Sequence, residues 1–402
     1  MFLNPYSWLT RLGSLSTTKM VALISFFGQL YFFVPVMTPY LQAKGLSLAQ
    51  IAGMQTMLMV SMLVMEIPTG VLADRLGHRR SYQISLFMAA LGELVTLLAD
   101  TYPEFMFGQF VAGTGFAFAS GSVDALVYES LPKGNRTNGM QRAKGTIGAA
   151  IQAASLVAYG IGGWLTRDLT FENMRFTLKL DVVFVGFSAI LALALREPIQ
   201  EIVAERLRSL DLLKSGMRNL RSNIDLQRLM LLAIVTNAFV AHLLIFYQDY
   251  FIRSDVPAIW LGFGLALGSV AAFFTQLHAW RLPAWLGDRK AMLVATAVPG
   301  VLYLLMAINH HPVLAVVLFV AQWGMVQVAA PLFSGLYNEH IEEGARATSL
   351  SLVNGVVTVY ISIGGVILGW LAGISLPMMF AILGVVIIAG ALAVKLPEPE
   401  SR

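Results

Sequence analysis

The chain has 402 residues, 57% of them hydrophobic and 12% charged, with no cysteine, 6 histidines and a formal net charge of +4. Soluble domains carry roughly twice that share of charge, so a single water-facing core cannot hide this much apolar surface, and the surrounding medium is lipid. The missing cysteines exclude disulfides and thiolate metal sites.

A spanning helix needs about 20 mostly apolar residues. Apolar runs predict twelve such helices, over 19–41, 48–72, 81–100, 104–128, 140–164, 176–195, 229–251, 258–280, 291–309, 312–335, 347–371 and 377–395. The expected organisation is an N-terminal six-helix bundle over 1–195, a charged linker over 196–228 and a C-terminal six-helix bundle over 229–402. The linker reads as helical and close to the membrane surface. The first span follows a polar, Trp-containing segment without a small-residue cleavage site, so no cleaved signal peptide is expected.

Lys and Arg are retained on the cytoplasmic side. With both termini inside, the far side of the membrane receives only Lys44, Arg167, Arg175, Lys179 and Arg253 of the 27 basic residues. The basic residues thus mark topology, not a nucleic-acid patch, and no nucleic-acid partner is expected.

The two halves read as copies of one ancestor. At a constant offset, Tyr40 matches Tyr250, Leu72 matches Leu282, Leu76 matches Leu286, Gly77 matches Gly287 and Arg79 matches Arg289. Glu129 with Glu339, Gly134 with Gly344, Arg136 with Arg346 and Gly145 with Gly355 extend the series. A pseudo-two-fold of this kind builds a midplane site that opens alternately to each side, and it lets a monomer suffice.

The strongest local motif is Gly70-Val-Leu-Ala-Asp-Arg-Leu-Gly-His-Arg-Arg80, between spans 2 and 3. Gly77 supplies a turn without a Cβ penalty, Asp74 suits a helix N-terminus, and Arg75, Arg79 and Arg80 suit acids or lipid phosphates. This segment resembles the signature loop of the major facilitator superfamily at Gly70, Leu72, Asp74, Arg75, Gly77, Arg79 and Arg80, with His78 as the visible departure. Glu66-Ile-Pro-Thr-Gly70, Ser120–Leu131 and Arg346–Ser351 are similar to a bacterial, drug-exporter-like branch. The resemblance implies an all-α membrane fold of twelve helices in two pseudo-symmetric bundles, with both termini inside. It also implies a gating latch at the signature loop and secondary transport, which a carboxylate in low dielectric, able to load and release protons, would couple to a proton gradient. The second-half copy, Leu282–Lys290, places Ala284 where the first has Asp74. Two family elements are imperfect. Gln109 stands where proton-coupled members carry an Arg before Gly113, and Ala158-Tyr-Gly-Ile-Gly-Gly163 keeps the antiporter glycine pair without its proline.

Intramembrane acids are costly and are functional candidates by default. Glu93 lies deepest, about 18 Å into span 3 at 1.5 Å per residue. Asp124, Glu129, Asp249 and Glu66 are the other candidates for proton coupling. The resemblance implies that spans 1, 4, 7 and 10 line the cavity, which favours Asp124 and Asp249. The structural alternative for Glu129 is a helix-end pair with Arg136 or Arg142. Candidate cavity groups are Gln29, Tyr31, Gln109, His242, Gln248, Gln276 and Gln327, each of which could equally be an interhelical hydrogen bond. The scarcity of intramembrane Arg argues against phosphate substrates, and the Met-containing apolar lining suits amphipathic or hydrophobic solutes. The expected function is proton-coupled export of such solutes from a bacterial inner membrane. The alternative is a permease dedicated to one metabolite, siderophore or lipid. An enzyme would need a nucleophile–base or metal constellation, which the sequence lacks, and a receptor would need a soluble sensing domain. No cofactor or metal is expected.

Overall fold

The computed structural model describes residues 15–132, 136–196, 223–237, 242–340 and 346–394. Most of the expected linker, 197–222, lies outside these residues. Among the described residues every regular element is helical. In chain order they are α1 (Thr17–Gly28), a 3-10 turn (Val34–Val36), α2 (Met37–Ala43), α3 (Leu48–Leu76), α4 (His78–Leu98), α5 (Tyr102–Ala119), α6 (Ser122–Glu129), α7 (Arg136–Leu165) and α8 (Phe171–Ala192). They continue with α9 (Ile224–Asn237), α10 (Leu243–Arg253), α11 (Ile259–His278), α12 (Arg281–Leu286), α13 (Asp288–Ile308), α14 (Pro312–His340), α15 (Arg346–Ile374) and α16 (Leu376–Ala393). Nine helices among the described residues are long and apolar enough to cross a bilayer.

Among the described residues two expected spans are interrupted, and residues 238–241 of the seventh lie outside them. The first divides into α1 and α2 because Pro35 has no N–H to donate and its ring excludes the carbonyl four residues earlier. The fourth divides into α5 and α6 at Gly121, whose φ of 76° ends one helix and starts the next. Other ends follow from side-chain caps. Glu104 accepts from the backbone N–H groups of Asp100 (2.8 Å) and Thr101 (2.9 Å) at the start of α5. Ser375 accepts from the Met378 N–H at the start of α16.

The helices group into two units, Met1–Tyr40 with Met57–Val203, and Leu41–Thr56 with Ala204–Arg402. In the first unit α4 packs along α5 and α8, and α1 packs on α7 and α8. Met20, Val21, Ile24, Tyr82, Leu126, Val127 and Leu191 belong to one buried apolar cluster there. Small residues let backbones approach where lipid supplies no hydrophobic drive between helices. A Cβ on Gly92 of α4 would sit 3.0 Å from the Gly108 carbonyl oxygen of α5.

In the second unit the closest packing joins α13 to α16, where a Cβ on Gly300 would lie 2.9 Å from the Gly384 carbonyl oxygen. The first turns of α3 belong here: the Thr56 hydroxyl donates to the Ser362 carbonyl of α15 at 2.7 Å, and Gly369 admits the Leu48 carbonyl. An aromatic stack fills the centre. Tyr247 of α10 stacks on Phe319 of α14 with ring centroids 4.6 Å apart, and Phe251 meets Phe319 edge-on at 5.3 Å. Both units turn large apolar side chains outward, Ile67 being 78% exposed, as a lipid-facing surface requires.

Candidate functional site

The signature turn links α3 to α4 through Gly77, at φ 88° and ψ 155°. Its repeat links α12 to α13 through Gly287, at φ 77° and ψ 157°. The two backbones coincide in a region that only glycine occupies without strain. In the first copy Arg79 donates to the Leu195 carbonyl (3.3 Å) and Gln83 to the Ala192 carbonyl (2.8 Å), tying the start of α4 to the end of α8. Arg75, Arg80 and Gly70 are exposed, and the Asp74 side chain lies outside the described residues. His78, the departure from the family pattern, faces Glu129 of α6 at 3.4 Å. Glu129 thus has His78 as a partner among the described residues, and the side chain of Arg136, one of its two expected partners, lies outside them.

The other candidate acids have different surroundings. Asp124, in the first turn of α6, pairs with Lys144 of α7 at 2.8 Å, with both side chains more than half exposed. Asp249 pairs with Arg253 one turn along α10 at 2.8 Å. Glu66 is exposed on α3. Glu93, half-buried on α4, forms no ion pair among the described residues.

Of the polar candidates, Gln276 of α11 donates to Gln327 of α14 at 3.4 Å, so these two are brought together. Gln248 is buried and donates to the Leu244 carbonyl within α10. His242 is buried against Gly365 of α15. Gln109 is half-buried one turn before Gly113, and Gly113 admits the Leu58 carbonyl and Ser61 hydroxyl of α3.

Gln29 and Tyr31 occupy the break between α1 and α2, and here the structure assembles what the sequence reading did not. A helix break exposes backbone groups that must find partners inside the bilayer. The N–H of Tyr31 bonds the Gln29 carbonyl at 2.8 Å, and the Val36 N–H bonds the Phe33 carbonyl at 2.9 Å. The N–H groups of Phe32 and Phe33 donate to the two carboxylate oxygens of Asp181 of α8, at 2.7 Å and 3.3 Å. Asp181 is 1% exposed and forms no ion pair among the described residues. Glu93 of α4, Tyr31 and Tyr159 of α7 lie within its electrostatic reach. Opposite Asp181, Gly162 of α7 presses against the Phe32 carbonyl, leaving no room for a Cβ. Gly162 of the surviving glycine pair in the antiporter-like stretch therefore admits the broken helix. Phe32 also packs on Phe184, one turn beyond Asp181 on α8.

Asp181 escaped the sequence reading because its partners lie 149 residues away and leave no local pattern. The available signal was its position, a lone carboxylate inside the expected span 176–195.

Lipid-facing helices enclosing broken segments and buried carboxylates define a membrane transporter, since irregular backbone at membrane depth persists where a pathway needs it. The sequence profile of the Major Facilitator Superfamily matches residues 20–303, and the chain belongs to that family. It is accordingly a multi-pass membrane transporter and not an enzyme. Among solved structures it is similar to the nucleoside transporter NupG, at TM-score 0.73 and 14% identity, covering 94% of this chain and 98% of that one. It is also similar to a bacterial homologue of the human lysosomal transporter Spinster (TM-score 0.72, 15% identity, 97% and 95% covered). A third similar structure is a D-xylose–proton symporter (TM-score 0.69, 13% identity, 94% and 98% covered). Identities at this level establish a shared fold.

Proposed function

We propose that the protein is a proton-coupled exporter of small amphipathic or hydrophobic organic solutes, working by alternating access as a monomer in a bacterial inner membrane. The observation that carries this reading is the pair of acids in the first unit, Glu93 and Asp181, held at membrane depth without a counter-cation among the described residues. Acids in that setting are retained where protons or ions are handled. A proton that neutralises one of them removes a charge that resists movement through a low-dielectric interior, which ties the conformational step to the gradient. The ion pairs of Asp249 and Asp124 make them weaker coupling groups than Glu93, although Asp124 remains within the proposed set. Gln276 and Gln327 supply a polar contact for the solute within the second unit.

Everted membrane vesicles given a cationic dye, with and without an imposed pH gradient, test this reading. Gradient-dependent dye accumulation by wild type, lost in Glu93→Gln and reduced in Asp124→Asn, is expected. Accumulation that ignores the gradient defeats proton coupling, and no dye accumulation by well-expressed wild type favours a permease dedicated to a single solute.

A further inference from the structure

We infer that Asp181 is the positioning residue that sets the form of the break in the first span, and that its protonation state switches that form. The inference rests on the proposed proton coupling and adds the element on which the proton acts.

As a carboxylate, Asp181 offers acceptors to two consecutive backbone N–H groups, and at 2.7 Å the Phe32 bond is short. Charged acceptors make the stronger hydrogen bonds. Those bonds are also what satisfies the Phe32 and Phe33 N–H groups in a medium without water. A proton added to either oxygen of Asp181 removes the charge and turns one acceptor into an O–H donor. One backbone N–H is then left facing a neutral hydroxyl oxygen, a much weaker acceptor, and the segment Gln29–Phe33 is released toward another arrangement. Gly162 on the opposite side fixes the direction of release: the Phe32 carbonyl already touches α7, so the segment can only move away from it or along its own axis.

The groups facing Asp181 come from each helix packed on α8: Tyr31 beside α1, Glu93 on α4 and Tyr159 on α7. None carries a positive charge. On α8 itself Arg175 and Lys179 stand on other faces and form no ion pair with Asp181, and Arg79 bonds the far end of that helix. Among the described residues nothing cationic therefore holds the carboxylate ionised, and the two N–H donors are its stabilising contacts. A proton arriving at Glu93 or Asp181 acts on both, because the two acids lie within electrostatic reach of each other.

Hydrogen–deuterium exchange of the full-length protein in lipid nanodiscs, followed by mass spectrometry, reads this directly without any solute. The segment 29–36 is compared with a reference segment of α16 so that intrinsic exchange chemistry cancels. In wild type, relative protection of 29–36 is expected to fall at least about tenfold on passing from mildly alkaline to mildly acidic pH. Asp181→Asn should show the low-protection form at every pH, and Asp181→Glu should restore pH dependence. Protection that is independent of pH in wild type, or an Asp181→Asn protein protected like alkaline wild type, overturns the inference. If Asp181→Asn does not fold, the wild-type pH series decides alone. The two readings separate cleanly. A pH-switched break in a protein without gradient-driven dye transport removes the proposed function and keeps the switch, whereas gradient-driven transport with a pH-independent break removes the switch.

Discussion

The centres of the two units are built from different materials on a repeated backbone. In the first, a broken helix is held by a carboxylate bonded to two backbone N–H groups and by a glycine against a carbonyl. In the second, Tyr247, Phe251, Phe319, Phe380 and Tyr303 are buried together, and their rings stack or meet edge to face. The repeat preserves turns such as Gly77 and Gly287 to within 11° in φ and 2° in ψ, yet it does not preserve chemistry. Backbone geometry is dictated by topology, which both halves share. Buried charge is costly and survives where it performs a task; in the first unit Asp181 is held by backbone N–H groups, whereas in the second Asp249 is held by Arg253.

The largest expected effect attacks the aromatic centre. Phe319→Ala removes a fully buried ring and should cost about 3–5 kcal/mol, read as a drop in thermal unfolding temperature, while the pH dependence of exchange at 29–36 is retained. Loss of that pH dependence would break the division of labour between units. Next comes Gly162→Ala, which forces a methyl onto the Phe32 carbonyl and should cost about 1–3 kcal/mol. It should also alter exchange at 29–36, and an unchanged exchange pattern would show that the break does not depend on that contact. Gly77→Ala and Gly287→Ala sharpen the comparison from the opposite side. Both place a Cβ at φ near +80° with ψ near 155°, so each should lose a similar 1–3 kcal/mol or about that. Strongly unequal unfolding temperatures would show that the two turns are not equivalent.

The smallest effect is local and lies outside the membrane. In the loop between α7 and α8, the Asn173 amide and the Thr170 backbone N–H hold the Asp168 carboxyl below the usual carboxylate range. A depressed carboxyl stabilises its loop above its unfolded pKa, near 3.9 or roughly so, and that contribution fades as pH falls through the lower, folded value. Protection of the 168–173 amides, taken relative to their intrinsic exchange at each pH, should therefore be unaffected by acidification until strongly acidic pH. Asp168→Ala should accelerate their exchange at neutral pH. Equal exchange in mutant and wild type would show that these hydrogen bonds hold nothing in place.

Much of the fold was legible because long apolar runs and basic loops obey the bilayer. The signature turn was legible too, since its glycine and arginines are contiguous. The breaks in the first and fourth spans were not, although Pro35 and Gly121 mark them, because apolar character runs straight through. Among the candidate acids, sequence spacing gave membrane depth but few partners: His78 for Glu129 and Lys144 for Asp124 emerge only when helices pack, whereas Arg253 stands one turn from Asp249 on the same helix. Asp181 is the extreme case, because its significance lies wholly in backbone groups of a distant helix.

That distance has a consequence for biogenesis. Phe32 leaves the ribosome 149 residues before Asp181, an interval of about 7–30 s at 5–20 residues per second. Throughout it the first segment sits in the translocon or the bilayer without the acceptor for its two N–H groups. Unpaired N–H groups are not tolerated in hydrocarbon, so the nascent segment must enter in some other form. The interruption between α1 and α2 is thus acquired late, when the sixth span docks, and the completed bundle is the first moment at which the chain can hold it.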